Sequence, residues 1–260
     1  MSKPIVSLLK VVTTIKTNYI KQGDCLELMQ ELPDKSVDMI LCDLPYGTTA
    51  NKWDSIIPLE PLWEQYERVI KDNGAIVLTA SQPFTTKLIN SNIKNFKYTW
   101  VWEKSRFANQ MLAKKQPLKI HEDICVFYKK QVNYNPQGLI EVNKTTKQGK
   151  KISDNNGGGL RKTSYKQTHT NYPRTILKYK SEGKTIHPTQ KPVALFEYLI
   201  KTYTNEGDVV LDNCIGSGTT PVAAINTNRK YIGYELDEKY FNIAQQRIDE
   251  HILKGGEADE

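Results

Sequence analysis

Val209-Val210-Leu211-Asp212-Asn213-Cys214-Ile215-Gly216-Ser217-Gly218-Thr219-Thr220 is the stretch on which the reading of the fold turns. Its first three residues suit a short buried strand, the glycines make a tight turn, and Thr219 to Ile225 opens a helix. Such a turn lets a ligand come close to the backbone and presents unpaired N–H groups at a helix N-terminus. The next strand, Tyr231 to Tyr234, leads to Glu235, where a nucleotide-binding α/β unit carries the carboxylate that holds ribose hydroxyls. Alone, the glycines also suit a plain strand-to-helix connection. With the acid they make a candidate nucleoside site.

Outward from this stretch the chain alternates in the same manner. Val193 to Tyr203 and Glu238 to Ile252 have helical spacing, with Phe241, Ile243, Ala244 and Ile248 as core positions. Toward the N-terminus, Tyr19-Ile20, the turn Gly23-Asp24, the helical Cys25 to Leu32 and the apolar Val37 to Cys42 read as strand, turn, helix, strand. Pro61 to Ile70 reads as a helix, Asn73-Gly74 as a turn, and Ala75 to Thr79, Tyr98 to Trp102 and Ile124 to Tyr128 as strands. The expected class is therefore α/β, a mostly parallel twisted sheet with helices on both faces.

Composition bounds the rest. With 260 residues, 38% hydrophobic and 25% charged, the chain can bury a sizeable core, and no apolar run is long enough to span a bilayer. No charged-then-apolar leader occupies the first residues, so a soluble, cytoplasmic protein without membrane contact is expected. Cys25, Cys42, Cys125 and Cys214 show neither CxxC nor zinc-ligand spacing, so reduced thiols and no metal are expected. The net charge of +7 is unevenly spread: residues 129–184 alone sum to +10, leaving −3 for the remainder. Residues 131–185 are also rich in Asn, Lys, Thr, Gly and Gln, a composition that suits a linker. Tyr134, Tyr165, Tyr172 and Tyr179 interleave with the basic residues, which points instead to a nucleic-acid-contacting segment.

The second chemical constellation is Asp43-Leu44-Pro45-Tyr46-Gly47, directly after the apolar strand ending at Cys42. By itself the pentapeptide also suits a β-turn with proline at a favoured position. As an active-site loop it combines a carboxylate, a backbone carbonyl aimed by Pro45, and an aromatic face. Those are the parts needed to act on an exocyclic amine. Its lone pair is delocalised into the base, so acceptors must take hydrogen bonds from its N–H groups. Asp43 and the Leu44 carbonyl can supply both acceptors. Tyr46 can stack on an extruded base and tolerate developing positive charge.

Over roughly residues 18–252 the chain resembles the β-class amino-directed (N6-adenine/N4-cytosine) DNA methyltransferases, in which an Asp/Asn/Ser-Pro-Pro-Tyr/Phe motif precedes the glycine-rich cofactor motif. The resemblance rests on both motifs in that order, on Gly23-Asp24-Cys25, on Trp102-Glu103-Lys104, which is similar to the family's Trp-Asp-Lys, on His121-Glu122, and on His187-Pro188-Thr189-Gln190-Lys191-Pro192. It departs at Leu44, where the family has its first proline, and at Cys214, where a phenylalanine is usual.

The resemblance implies a Rossmann-like methyltransferase fold using S-adenosylmethionine, with S-adenosylhomocysteine as product, acting on double-stranded DNA. It divides the chain into a catalytic half (1–104), an inserted basic target-recognition segment (105–185) and a cofactor half (186–260). Asp43, Leu44, Pro45 and Tyr46 would hold the target base. Asp24 and Cys25 would lie at the cofactor's adenine and Glu235 at its ribose. Lys191, Asp212, Asn213, Gly216, Gly218, Thr219 and Thr220 would surround its methionine end.

Asp at position 43 accompanies adenine more often than cytosine in that family, so N6-adenine is the expected target, with N4-cytosine next. An RNA or single-stranded substrate, or a non-catalytic nucleic-acid-binding module, would also suit these residues. Lys104, Arg106, Lys162 and the base-reading candidates Arg161 and Arg174 are the expected DNA contacts. Trp53 suits a hydrophobic anchor, His121 suits a structural role, and a homodimer is compatible with the family.

Overall fold

A computed structural model describes residues 15–47, 54–147, 164–181 and 190–256. In chain order the elements are β1 (Tyr19–Gln22), α1 (Cys25–Met29), β2 (Val37–Asp43), α2 (Leu59–Val69), β3 (Ile70–Ala80), α3 (Phe84–Ser91), β4 (Phe96–Ala108) and β5 (Lys119–Phe127). They continue with β6 (Ile140–Lys147), β7 (Ser164–Thr170), β8 (Ile176–Lys178), α4 (Val193–Tyr203), β9 (Val209–Asp212), α5 (Thr219–Asn226), β10 (Lys230–Glu235) and α6 (Glu238–Gly256).

Eight strands form one sheet in the order β1-β10-β9-β2-β3-β5-β4-β8, while β6 and β7 pair apart from it as an antiparallel ribbon. The pairs from β1 through β3 are parallel. β5 runs antiparallel between β3 and β4, and β8 lies parallel to β4 at the edge.

Strand alternation explains why both faces are covered. Ile40, Cys42, Ile76, Leu78, Cys125 and Phe127 face one core with Met29, Leu62, Tyr66, Phe84 and Leu88 from α1, α2 and α3. Met39, Leu41, Val77, Ile124 and Val126 face the other, with Leu195, Phe196, Leu199, Ala223, Ala224 and Ile248 from α4, α5 and α6. Apolar residues at consecutive positions are what a strand buried on both sides requires.

The structure departs from expectation in three places. Asn73-Gly74, read as a turn, lies inside β3, in an irregular stretch where pairing with β2 jumps from Val37↔Ile70 to Met39↔Ala75. Gly74 fits there because a Cβ would stand 2.7 Å from the Asp38 carbonyl oxygen and from the Ile70 side chain. Residues 119–127, within the span read as an insertion, form the interior strand β5, and 176–178 return to the main sheet as β8. Two of the four interleaved tyrosines serve packing: Tyr134 lies against Tyr203 and Tyr179 against Tyr198, with ring centroids 6.3 and 6.1 Å apart. Trp102 Nε1 also donates to the Tyr179 carbonyl at 2.9 Å. Tyr172 remains exposed, and Tyr165 carries no described side chain.

Candidate active site

The carboxyl ends of four adjacent parallel strands each deliver an acid to one cleft. β1 continues into Gly23-Asp24, β10 ends in Glu235, β9 in Asp212 and β2 in Asp43. They border a cavity of about 1170 Å³, whose lining also includes Leu44, Pro45, Tyr46, Cys25, Lys191, Asn213, Gly216 and Thr219. Ligands of open parallel sheets sit in this crevice.

Each acid at the glycine-turn end is fixed by the backbone around it. Asp24 caps α1, its Oδ1 accepting from Leu26 N at 2.7 Å. Glu235 accepts from Gly216 N at 2.8 Å and from Asp237 N at 3.0 Å, which ties β10 to the glycine turn. Burial is the largest influence on the Glu235 carboxyl and raises its pKa. Asp212 accepts from Cys214 N at 3.0 Å and from Thr220 Oγ1 at 2.5 Å, and burial pushes its pKa up to about 6.

The glycine turn is held by its own conformation and by α6. Gly216 and Gly218 have φ of +51° and +80°, and a Cβ on Gly218 would stand 3.3 Å from Ala244 Cβ. Arg247 Nη1 donates to the Ser217 carbonyl at 2.9 Å. Two residues expected at the cofactor stand behind the turn instead. Gly218 packs on α6, and Thr220 spends its hydroxyl on Asp212; neither lines the cavity. Asn213 accepts from the buried Tyr66 hydroxyl at 2.5 Å and donates toward Cys25 and Cys214 Sγ at 3.4 Å. Cys25, Cys42 and Cys214, distant in sequence, come together under the turn as free thiols.

The other end of the cleft is built from ionic side chains. Tyr46 Oη donates to Asp43 Oδ1 at 2.8 Å, and Thr79 Oγ1 donates to the same oxygen. Asp43 Oδ2 accepts from Lys191 Nζ at 2.5 Å. The Lys191 side chain is 5% exposed and lies 3.4 Å from Glu122 Oε2, and Glu122 Oε1 binds Lys104. Burial works against the Lys191 charge, but Asp43 and Glu122 outweigh it and raise the pKa. For Glu122, burial works against ionisation, but Lys191 and Lys104 outweigh it and lower the pKa.

Phe84 stacks on Tyr46 with centroids 5.4 Å apart, and Asp54 Oδ1 accepts from Gly47 N at 2.9 Å to close the loop. Leu44 is buried in the core beside this loop, which gives its departure from proline a packing role.

Several expectations are corrected by this geometry. The Lys191 ammonium stands at the Asp43 carboxylate, while its carbonyl is the part near Thr219 Oγ1, at 3.5 Å. Lys104 faces inward along the cavity wall, bound to Glu122 and lying over the Trp102 ring at 5.2 Å, not outward on the surface. Arg106 and Arg174 are exposed, whereas Arg161, Lys162 and Trp53 fall outside the described residues. His121 is exposed on β5 opposite Glu103. Sequence reasoning misses Thr79, Phe84 and Glu122 as parts of the site, while Asp54 follows the loop in sequence. Of the three missed, Glu122 alone carries a signal, its place in His121-Glu122.

An α/β cleft with a glycine turn and ribose-type acid at one end and an Asp-Leu-Pro-Tyr loop at the other defines a cofactor-dependent group transferase. Comparison with known proteins gives the particular family. The model of the N6/N4 methyltransferases, described as DNA methylase, matches residues 37–246. The DNA adenine methyltransferase YhdJ of Escherichia coli K12 is 30% identical over 246 residues, covering 88% of this chain and 82% of the relative. The type II methyltransferase M.HpaI of Haemophilus parainfluenzae is 26% identical over 243 residues, covering 87% and 73%. Among solved structures, the M1.HpyAVI–SAM complex superposes with a TM-score of 0.60 at 26% identity, covering 88% of this chain and 98% of that one. The cytosine-N4-specific PvuII DNA methyltransferase shares the fold at 16% identity, with a TM-score of 0.65. The chain belongs to the N6/N4 amino-directed DNA methyltransferase family.

The M1.HpyAVI neighbour is solved with S-adenosylmethionine bound, and the cleft here fits such a ligand. One continuous cavity joins the backbone-anchored Glu235 and the glycine turn to Asp43, so a ligand held at the first end can reach the second. Among the described residues, no group of three or more His, Cys, Asp or Glu is placed to hold a metal ion, and no helix is long and apolar enough to cross a membrane.

Proposed function

We propose that this protein methylates N6 of adenine in double-stranded DNA, at a site read by its basic segment. The observation that carries the reading is the Asp43 carboxylate, fixed at the end of β2 by Tyr46 and Thr79 and facing the same cavity as the glycine turn. Asp at this position favours adenine by family usage, and the Escherichia coli relative bears an adenine methyltransferase's name.

S-adenosylmethionine, when bound, supplies a methyl group on a sulfonium, open to direct attack by nitrogen. The protein supplies position. Glu235 and the glycine turn hold the nucleoside and methionine ends, and Asp24 flanks the adenine. Asp43 and the Leu44 carbonyl accept from the two N–H bonds of the target amine, which turns its lone pair out of conjugation and toward the methyl group. Tyr46 offers its face to the extruded base, and its π system offsets the charge that develops on nitrogen. One amine proton then leaves to solvent.

The target-recognition role falls to the β6–β7 ribbon with the exposed Arg106 and Arg174, whose surroundings carry the chain's excess positive charge. The protein works in the cytoplasm, where DNA is accessible, as a monomer or homodimer.

Incubation with labelled S-adenosylmethionine and unmethylated genomic DNA, then digestion to nucleosides, tests the reading. Label is expected on N6-methyldeoxyadenosine. Label on N4-methyldeoxycytidine would transfer the same mechanism to the other amine, and label on RNA in competition with duplex DNA would overturn the substrate.

A further inference from the structure

Lys191 stands where the target base has to come. Its ammonium occupies Asp43 Oδ2 at 2.5 Å and lies over the Tyr46 ring, 5.7 Å from the centroid. The other carboxylate oxygen already accepts from Tyr46 and Thr79. An amine that is to donate to Asp43 therefore competes with Lys191 for Oδ2, and a base that is to stack on Tyr46 meets the same ammonium.

Moving a buried cation off its carboxylate costs several kcal/mol unless a second partner receives it. That partner is in place. Glu122, on β5 opposite Trp102, holds Oε2 3.4 Å from Lys191 Nζ. Among the described residues this oxygen is the buried side-chain atom that lacks a hydrogen bond. Its twin is fixed by Lys104, itself braced over Trp102. A shift of roughly half an ångström or more brings Lys191 to hydrogen-bonding distance of Glu122. Lys104, Glu122, Lys191 and Asp43 thus alternate in sign along one wall of the cleft.

We infer that Glu122 is a positioning residue that receives Lys191 when the target amine takes Asp43. Lys191 is the placeholder for the base in the absence of DNA and keeps Asp43 paired until then. The inference rests on Asp43 being the holder of the amine.

A double-mutant cycle of Glu122→Gln and Lys191→Met tests it, read by the single-turnover rate of methyl transfer to genomic DNA at saturating cofactor, with cofactor and duplex Kd measured separately. Glu122→Gln, which keeps shape but strands Lys191 on Asp43, is expected to slow transfer about tenfold or more, with cofactor Kd changed less than about twofold. Adding Lys191→Met is expected to restore the rate to that of Lys191→Met alone, because the placeholder is then gone. A Glu122→Gln rate within about twofold of the unaltered protein, or losses that multiply in the double variant, would overturn the inference.

Should Glu122→Gln fail to bind cofactor, Glu122→Asp replaces it in the same cycle, with coupling supporting the inference and multiplying losses opposing it. Failure of the underlying reading looks different: the unaltered protein itself would then transfer no methyl group to DNA.

Discussion

The two ends of the cleft hold their acids by different means. At the cofactor end, Glu235, Asp212 and Asp24 accept from backbone N–H groups within their own or a neighbouring turn. At the base end, Asp43 and Glu122 are held by lysines and hydroxyls brought from β3, β4, and the segment before α4. Backbone donors cannot leave without refolding a turn; side-chain cations can change partners. The first end is a fixed cradle for a ligand that must be held in one pose. The second is built for a group that enters, displaces a cation and leaves.

Substitutions at the two ends should separate in kinetics. Tyr46→Ala is expected to lower kcat about 100-fold, through loss of the stacking face and of the hydroxyl on Asp43, with cofactor Kd nearly unchanged. Tyr46→Phe keeps the face and should lose only about tenfold. Glu235→Gln is expected to weaken cofactor binding about tenfold by calorimetry while kcat at saturating cofactor stays within about threefold. A kcat loss from Glu235→Gln as large as that from Tyr46→Ala would erase the division between the ends.

The smallest effect concerns Asp212, whose folded pKa of about 6 lies above its ordinary value of 3.8. Between these values the folded protein binds more protons than the unfolded chain, so this group's contribution is fully present below about 3.8 and is lost as pH rises through about 6. Asp212→Asn should therefore flatten that part of the stability profile and gain on the order of 2 kcal/mol relative to the unaltered protein above pH 6. Parallel melting curves from pH 4 to 7 would check it; unchanged slopes in Asp212→Asn would place the burial cost elsewhere.

The cofactor end is legible in sequence because it is local. The glycine turn and its helix are contiguous, and Glu235 ends the next strand. Residues 43–46 are legible for the same reason. What holds them is not. Thr79 reaches Asp43 only because β3 pairs beside β2, with Asp43 opposite Thr79 in register. Lys191 is 148 positions from Asp43, and nothing in His187 to Pro192 says which end of the cleft the lysine faces. Lys104 has the look of a surface cation, yet β5 folds back beside β4 and brings Glu122 to it. The antiparallel insertion of β5 between β3 and β4 is a long-range choice that leaves no periodic trace. α3 is hidden for a related reason, since a helix of eight residues with Phe84, Thr85 and Leu88 as its buried positions carries little pattern.

The central claim is that Asp43 orients the amine and takes no part in holding the cofactor. Asp43→Ala and the unaltered protein, incubated side by side with labelled S-adenosylmethionine and unmethylated duplex DNA, test it directly when cofactor Kd is measured on both. The account predicts label on adenine N6 from the unaltered protein, a loss of at least about 1000-fold in Asp43→Ala, and cofactor affinities within about threefold of each other. Methylation by Asp43→Ala at the unaltered rate would contradict it.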